Sequence, residues 1–168
     1  MLGDIERAAR FLYLNRFSFN GIYRENKEGR FNVPKGSRTG KLPDAKLLAR
    51  ASLALRGAVI LAQDFEDLAS AARKGTLYYL DPPYDYSGRL DRGEYGTNTF
   101  SAKDIPRLSR LLESIHRKEG KFILSYLDVP DIKAIAEQYR CIRISVKRQV
   151  ASFAKYRTVI KELIVTNT

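Results

Sequence analysis

The chain has 168 residues, 44% of them apolar, with 30 Lys and Arg against 19 Asp and Glu and a formal charge of +11. That length supports one domain with a real core, and the apolar fraction excludes a disordered chain. One cysteine, Cys141, excludes an intrachain disulfide, and with no signal peptide, lipidation motif or bilayer-length apolar run the expectation is a cytoplasmic protein.

The charge is unevenly placed. Residues 1–41 hold nine basic and four acidic side chains, and residues 140–161 hold seven basic and none acidic. A field of that sign concentrates phosphate-bearing ligands, so two distant basic segments flanking one groove suggest a nucleic-acid partner.

From Asp4 to about Arg16, Ile5, Ala8, Ala9, Leu12 and Tyr13 recur at helical spacing and predict an amphipathic helix. In "NGIYRENKEGRFNVP", two short β-favouring runs bracket the turn-forming "NKEG", which predicts a hairpin with charged flanks. The Gly/Pro-punctuated "GSRTGKLP" is a loop that separates a small basic module, residues 1–43, from residues 44–168. The remainder alternates: helix Asp44–Arg56, strand Ala58–Ala62, helix Asp64–Ala72, strand Thr76–Leu80 and a polar loop to Phe100. A helix opened by the capping box "SAKD" and closed by Gly120 follows, then the strand "KFILSY", a helix from Pro130 to Gln138, and the strands "CIRISVK" and "VIKELIVT". Strands separated by helices predict α/β layering around a mostly parallel sheet. No helix separates the last two strands, so that pair is expected to be antiparallel. Cys141, in an apolar strand, is expected to be a reduced structural thiol, and His116, on the polar side of its helix, receives no chemistry.

Chemistry concentrates in "LYYLDPPYDYSG". An exocyclic amino group on a nucleobase is a poor nucleophile because its lone pair is conjugated into the ring. Two acceptors aimed at its N–H groups rehybridise it, and the Asp81 carboxylate with the Pro82 carbonyl can serve. Pro82 and Pro83 remove competing N–H donors and fix φ, and preorganised acceptors stabilise positive charge developing on the nitrogen. Tyr84 offers a face for a base taken out of its stack. The position beyond a strand's carboxyl end suits a ligand site in an open α/β sheet. The alternative is a rigid turn in which Asp81 is an Asx-turn residue.

Asp81 to Tyr84 resembles the [DNS]-P-P-[YFW] tetrapeptide that closes the fourth strand of S-adenosylmethionine-dependent amino-group methyltransferases. "AARFLYLNRFSFNGIYRENKEGRFNVPKG", Ala8 to Gly36, resembles the target-recognition start of Dam-type (D12 class) adenine-specific DNA methyltransferases, where "LNR", "NG-x-x-R" and "FNVP-x-G" recur. The resemblance implies a partial Rossmann-like methyltransferase sheet carrying a small helix-plus-hairpin DNA-recognition module. It implies that Asn20 contacts DNA phosphate and that Arg24 reads a guanine edge, the commonest base-specific contact. Phe19 corresponds to an aromatic that wedges into the space left by the flipped adenine, or else anchors the hairpin. Arg16, Lys35 and Arg38 suit phosphate, since most protein–DNA hydrogen bonds position rather than specify. Lys147, Arg148 and Arg157, in the loop between the last strands, suit the DNA backbone as well. "QDFEDL" resembles the segment that holds the cofactor's adenine, so Asp64 and Phe65, with Asp81, are the cofactor-binding candidates. Asp64 also suits a helix N-cap. Ser125 and Tyr126 fall where the family's fifth strand ends near the target base.

The family's F-x-G-x-G loop, its upstream cofactor-binding helix and the acidic residue after the second strand are not found in these residues. In the family's sheet, order 3-2-1-4-5-7-6, two strands would then be lacking between Ala58–Ala62 and Thr76–Leu80, exposing strand edges. The expectations are a partner chain carrying that part, a truncated gene, or closure with Ala58–Ala62 pairing beside Thr76–Leu80. Adenine-specific methylation of duplex DNA is the first functional expectation, with no metal required. A non-catalytic DNA-binding remnant and an RNA guanine methyltransferase are the alternatives.

Overall fold

A computed structural model of the chain describes residues 3–26, 28–37, 40–84, 100–147 and 159–168. These form two compact units, one ending at Ala62 and one beginning at Gln63.

The first unit opens with helix α1, Asp4–Phe17, whose amino end is closed by Glu6 Oε2 accepting from the Gly3 N–H at 2.9 Å. Its apolar residues occur at helical spacing, yet none is buried. Instead its aromatic rings anchor the segment that follows: Phe11 meets Tyr23 at 5.0 Å and Tyr23 meets Phe31 at 5.3 Å, centroid to centroid. Such pairs contribute about 0.5–1.5 kcal/mol each beyond area burial. The expected hairpin follows that path but forms no regular strand. It is held by two antiparallel bridges, Ser18 to Lys35 and Glu25 to Phe31. Its turn is locked by Asn26, whose Oδ1 accepts from the N–H groups of Glu28 and Arg30 at 3.1 and 2.9 Å. A two-stranded ribbon is marginal by itself, which accounts for the sparse pairing.

Helix α2, Ala45–Ala54, starts where Asp44 Oδ1 accepts from the Leu47 N–H at 2.8 Å, and it too buries nothing. Beyond it the expected strand Ala58–Ala62 is absent. Val59, Ile60 and Leu61 are 84%, 76% and 64% exposed. A β-favouring run becomes a strand only when a neighbouring strand takes its backbone groups, and among the described residues the Ala58 N–H instead donates to the Leu55 carbonyl at the end of α2, at 2.9 Å. Closure of Ala58–Ala62 onto the following strand therefore does not occur.

The second unit begins with a 3₁₀ turn, Phe65–Asp67, running into the short helix α3, Leu68–Ala71, where a longer helix was expected. Strand β1 is Leu77–Leu80, helix α4 Ile105–Arg117, strand β2 Lys121–Leu127, helix α5 Pro130–Ala136, strand β3 Arg140–Lys147 and strand β4 Val159–Thr166. The sheet order is β1-β2-β4-β3. Strands β1 and β2 are parallel, from Leu77 opposite Lys121 to Leu80 opposite Leu124, whereas β2–β4 and β3–β4 are antiparallel. The last pair is as expected, but the described sheet is not mostly parallel. Because β4 returns directly from β3 and inserts beside β2, it opposes both neighbours.

The core lies against β2. Leu108, Leu111, Leu112 and Ile115 line one face of α4 at spacings of three and four, and they are buried with Phe122, Leu124 and Tyr126 of β2 and Ile132 of α5. Each such side chain contributes about 1.5–3 kcal/mol by leaving water. The Ser101/Asp104 capping box forms as expected. At the other end of α4 the left-handed residue is Glu119 (φ 58°) rather than Gly120. The N–H of Glu119 donates to His116 and that of Gly120 to Ile115, closing the last turn. Gly120 is needed for proximity, because a Cβ there would lie 2.9 Å from Ile115 Cγ2. Cys141, expected to be a reduced structural thiol, is a free cysteine but lies exposed on β3; among the described strands β3 is a sheet edge, with β4 on one side only. No helix among the described residues is long and apolar enough to cross a membrane.

Candidate functional site

Parallel pairing brings the carboxyl ends of β1 and β2 to the same edge of the sheet. Leu80 lies opposite Leu124, so Asp81 to Tyr84 leave β1 beside Ser125 and Tyr126. Asp81 is exposed, and its carboxylate makes no hydrogen bond or ion pair with any described residue. The Asx-turn alternative therefore does not hold. Pro82 and Pro83 are half-buried and supply no N–H to compete for it.

Tyr84, three residues on, is fixed against β2. Its hydroxyl lies 3.1 Å from Ser125 Oγ, and its ring stands edge-on to Tyr126 at 5.1 Å. Tyr126 in turn meets Phe100 at 5.8 Å, and Phe100 meets Phe65 at 5.7 Å. A continuous row of four rings thus joins the Asp81–Tyr84 tetrapeptide to the Asp64–Phe65 turn. Asp64 is the N-cap of that turn, its Oδ1 accepting from the Glu66 N–H at 2.9 Å. The N-cap expectation holds, and Oδ2 is left without a partner among the described residues.

Around the turn is a charged cluster that the sequence does not announce. Arg107 donates to Asp64, Glu66 and Asp104 at 2.5, 2.9 and 2.7 Å, and Arg110 reaches Glu66 at 2.9 Å. The Arg107 guanidinium also lies over the Phe65 ring, 4.8 Å from its centroid. Arg107 holds the carboxyl groups of Asp64, Glu66 and Asp104 below the usual carboxylate range, so they are ionised acceptors. Phe100 and Arg107 were not singled out from sequence. The pair Arg107 and Arg110 recurs at i,i+3 on one helix, but nothing local shows that it faces a turn some forty residues earlier.

The candidate DNA-contacting residues of the first unit cluster around the end of α1. Ser18 is buried and donates through Oγ to the Ile22 carbonyl at 2.7 Å. Asn20 follows with φ 56°, a left-handed conformation that asparagine tolerates, and is exposed beside Phe19. Arg24 donates through Nε to Asn32 Oδ1 at 2.9 Å, so the two arms of the hairpin set its direction. Lys35 is exposed and pairs through its backbone with Ser18. Arg16 is half-buried beside Gly40, and its buried Nε has no hydrogen-bond partner among the described residues. Tyr13, Phe17, Phe31, Val33 and Lys35 are among the residues lining a cavity of about 190 Å³ beneath this turn. In the second unit Lys147 ends β3 opposite Val159; its side chain, and all of Arg38, Arg148 and Arg157, lie outside the described residues.

Comparison with known proteins bears on this arrangement. The chain is 32% identical over 170 residues to the Type II methyltransferase M1.LlaDCHI of Lactococcus lactis subsp. cremoris, covering 99% of this chain and 60% of that protein. It is 34% identical over 162 residues to the DNA adenine methylase of Haemophilus influenzae, covering 95% of this chain and 56% of the relative. The retron Ec67 DNA adenine methylase of Escherichia coli is 30% identical over 167 residues, covering 98% of this chain and 56% of that protein. The chain thus spans somewhat over half the length of these curated relatives. Residues 1–150 match the D12 class N6 adenine-specific DNA methyltransferase family, and the chain belongs to that family.

Proposed function

We propose that this chain takes part in transferring a methyl group from S-adenosylmethionine to the amino nitrogen of an adenine flipped out of duplex DNA. The observation that carries this is the exposed Asp81 carboxylate at the end of β1, unpartnered among the described residues, with Tyr84, three residues on, tied to Ser125. Asp81 and the Pro82 carbonyl accept the two amino N–H groups, and Tyr84 stacks against the extruded base. The nitrogen then forms its bond to the methyl carbon as the carbon–sulfur bond breaks, and its extra proton is lost afterwards. S-Adenosylmethionine supplies the electrophilic methyl carbon on a sulfonium centre. Its purine is held by Phe65 and Asp64, whose free Oδ2 suits an exocyclic amino donor. Asp81 also borders this site.

Residues 1–43 serve as part of the DNA-recognition module. Arg24 reads a guanine edge, Asn20, Arg16 and Lys35 bind phosphate, and Phe19 occupies the gap left by the adenine. The exposed Phe19, Asn20 and Lys35 favour these roles. Lys147, Arg148, Arg157 and Arg38 extend the phosphate contacts. The sheet order β1-β2-β4-β3 matches the 4-5-7-6 portion of the family's sheet, which supports a partial Rossmann-like methyltransferase fold for the second unit. Two observations favour further polypeptide completing the cofactor site. Among the described residues strand β1 is paired on one side only, and Val59 to Leu61 lie exposed.

The test is incubation with labelled S-adenosylmethionine and duplex DNA, with the chain alone and with an amino-terminal portion taken from a relative. Label on adenine that disappears with Asp81→Ala supports the proposal, and unlabelled adenine in both arms overturns it. Salt-sensitive DNA binding without cofactor affinity in either arm would instead support the non-catalytic alternative.

A further inference from the structure

The proposed purine site contains one group that no sequence pattern assigns. Arg107 projects from the first turns of α4 and is only 30% exposed. All three guanidinium nitrogens are engaged, Nη2 by Asp64, Nε by Glu66 and Nη1 by Asp104, while the flat of the group covers the Phe65 ring. Two of these four contacts, the Nη2 hydrogen bond and the ring contact, fall on Asp64 and Phe65 at the start of the turn, and the other two tie Glu66 and Asp104 into the same cluster. Here one planar cation fixes both the ring and the carboxylate. Asp64 Oδ1 is consumed by Arg107 and by the Glu66 N–H, which sets the rotation of the carboxyl group and leaves Oδ2 as the remaining acceptor.

We propose that Arg107 is a positioning residue for the cofactor's purine. It holds the Phe65 ring at stacking orientation and aims Asp64 Oδ2 at the exocyclic amino group, so that the site distinguishes an amino-bearing purine from an oxo-bearing one. This rests on the assignment of Asp64 and Phe65 as purine-binding residues. The guanidinium is suited to the task because its rigid fork engages several carboxylates while its face stacks on an aromatic ring, which an ammonium cannot reproduce. Arg107 is stabilised in its charged form, first by Asp64 and then by Asp104 and Glu66, so the arrangement persists at any pH at which those carboxylates are ionised.

The experiment is calorimetric binding of S-adenosylhomocysteine and of S-inosylhomocysteine, which carries an oxo group in place of the amino group, to wild type, Arg107→Met and Arg107→Lys, each supplied with the amino-terminal portion used in the activity test. Melting temperatures are recorded for all three. The expected result is a preference of wild type for the adenosyl compound by about tenfold, the size of a lost oriented hydrogen bond. Arg107→Met reduces that preference to near unity, and Arg107→Lys restores it only in part. If Arg107→Met fails to fold, the partial loss of preference expected of Arg107→Lys carries the test. A preference that survives both substitutions overturns the role of Arg107 while leaving the purine site intact. Equal binding of both compounds by wild type, or binding of neither, overturns the purine assignment itself and the role of Arg107 with it.

Discussion

The Tyr84 hydroxyl lies 3.1 Å from Ser125 Oγ, a contact between residues 41 positions apart that ties the segment leaving β1 to the adjoining strand. Proline at 82 and 83 stiffens the chain between β1 and this tie. Tyr84 is therefore held at both ends, by a constrained backbone and by its own hydroxyl. Ser125→Ala is expected to cost about 0.5–1.5 kcal/mol in denaturant unfolding, the usual net contribution of one hydrogen bond. Tyr84→Phe introduced into that background should cost less than Tyr84→Phe alone, because the shared bond is already gone. Full additivity of the two substitutions would show that the contact contributes nothing.

Asp81 has no competing partner, so its removal leaves local structure intact. Asp81→Ala is expected to leave the melting temperature unchanged within about 2 °C, a surface substitution by this criterion. Methyl transfer should fall by at least about 100-fold, as when one preorganised group at a reacting centre is lost. Unfolding measurements beside transfer of labelled methyl to duplex DNA separate the two effects.

Arg24 and Lys35 should fail differently. Arg24→Ala is expected to cost about 1–3 kcal/mol, and only on DNA carrying the preferred base. Lys35→Ala should weaken binding uniformly across sequences and lower the salt-dependence slope by about one. Titrations of matched and mismatched duplexes at several salt concentrations distinguish them.

Gly36 is packed rather than flexible. A Cβ there would lie 2.5 Å from the Ser18 carbonyl oxygen and 2.9 Å from its carbon, both backbone atoms that cannot turn aside. Gly36→Ala is expected to destabilise the first unit by about 1–3 kcal/mol, the range for forced overpacking. Exchange protection of the Gly36 N–H, which donates to the Phe17 carbonyl at 2.7 Å, reports the loss directly.

Asp128 forms ion pairs with Lys133 and Arg143 at 3.0 and 2.7 Å, and these hold its carboxyl below the ordinary value of 3.8, Lys133 foremost. A carboxyl depressed on folding adds stability that is fully present above its unfolded pKa and is lost as the pH falls through its folded one. The stability difference between wild type and Asp128→Asn should therefore be constant above about pH 5 and shrink progressively below 3.8. Urea unfolding across that range measures it.

Sequence by itself determined the local features of this protein. Helical spacing placed α1, α2, α4 and α5, the Ser101/Asp104 capping box marked the segment leading into α4, and the two final strands were legible because strong β-favouring runs lacked a helix between them. The Asp-Pro-Pro-Tyr stretch was legible for a similar reason, since two prolines after an acidic residue constrain chemistry within four positions. Tertiary structure decided what depends on partners distant along the chain. Val59, Ile60 and Leu61 have the composition of a strand and form none, because pairing requires a neighbour that composition cannot supply. The antiparallel insertion of β4 beside β2, the row of rings from Phe65 to Tyr84 and the convergence of three carboxylates on Arg107 arise in the same way. Each contact joins residues that sequence separates widely, and only packing of the sheet against α4 brings them within reach.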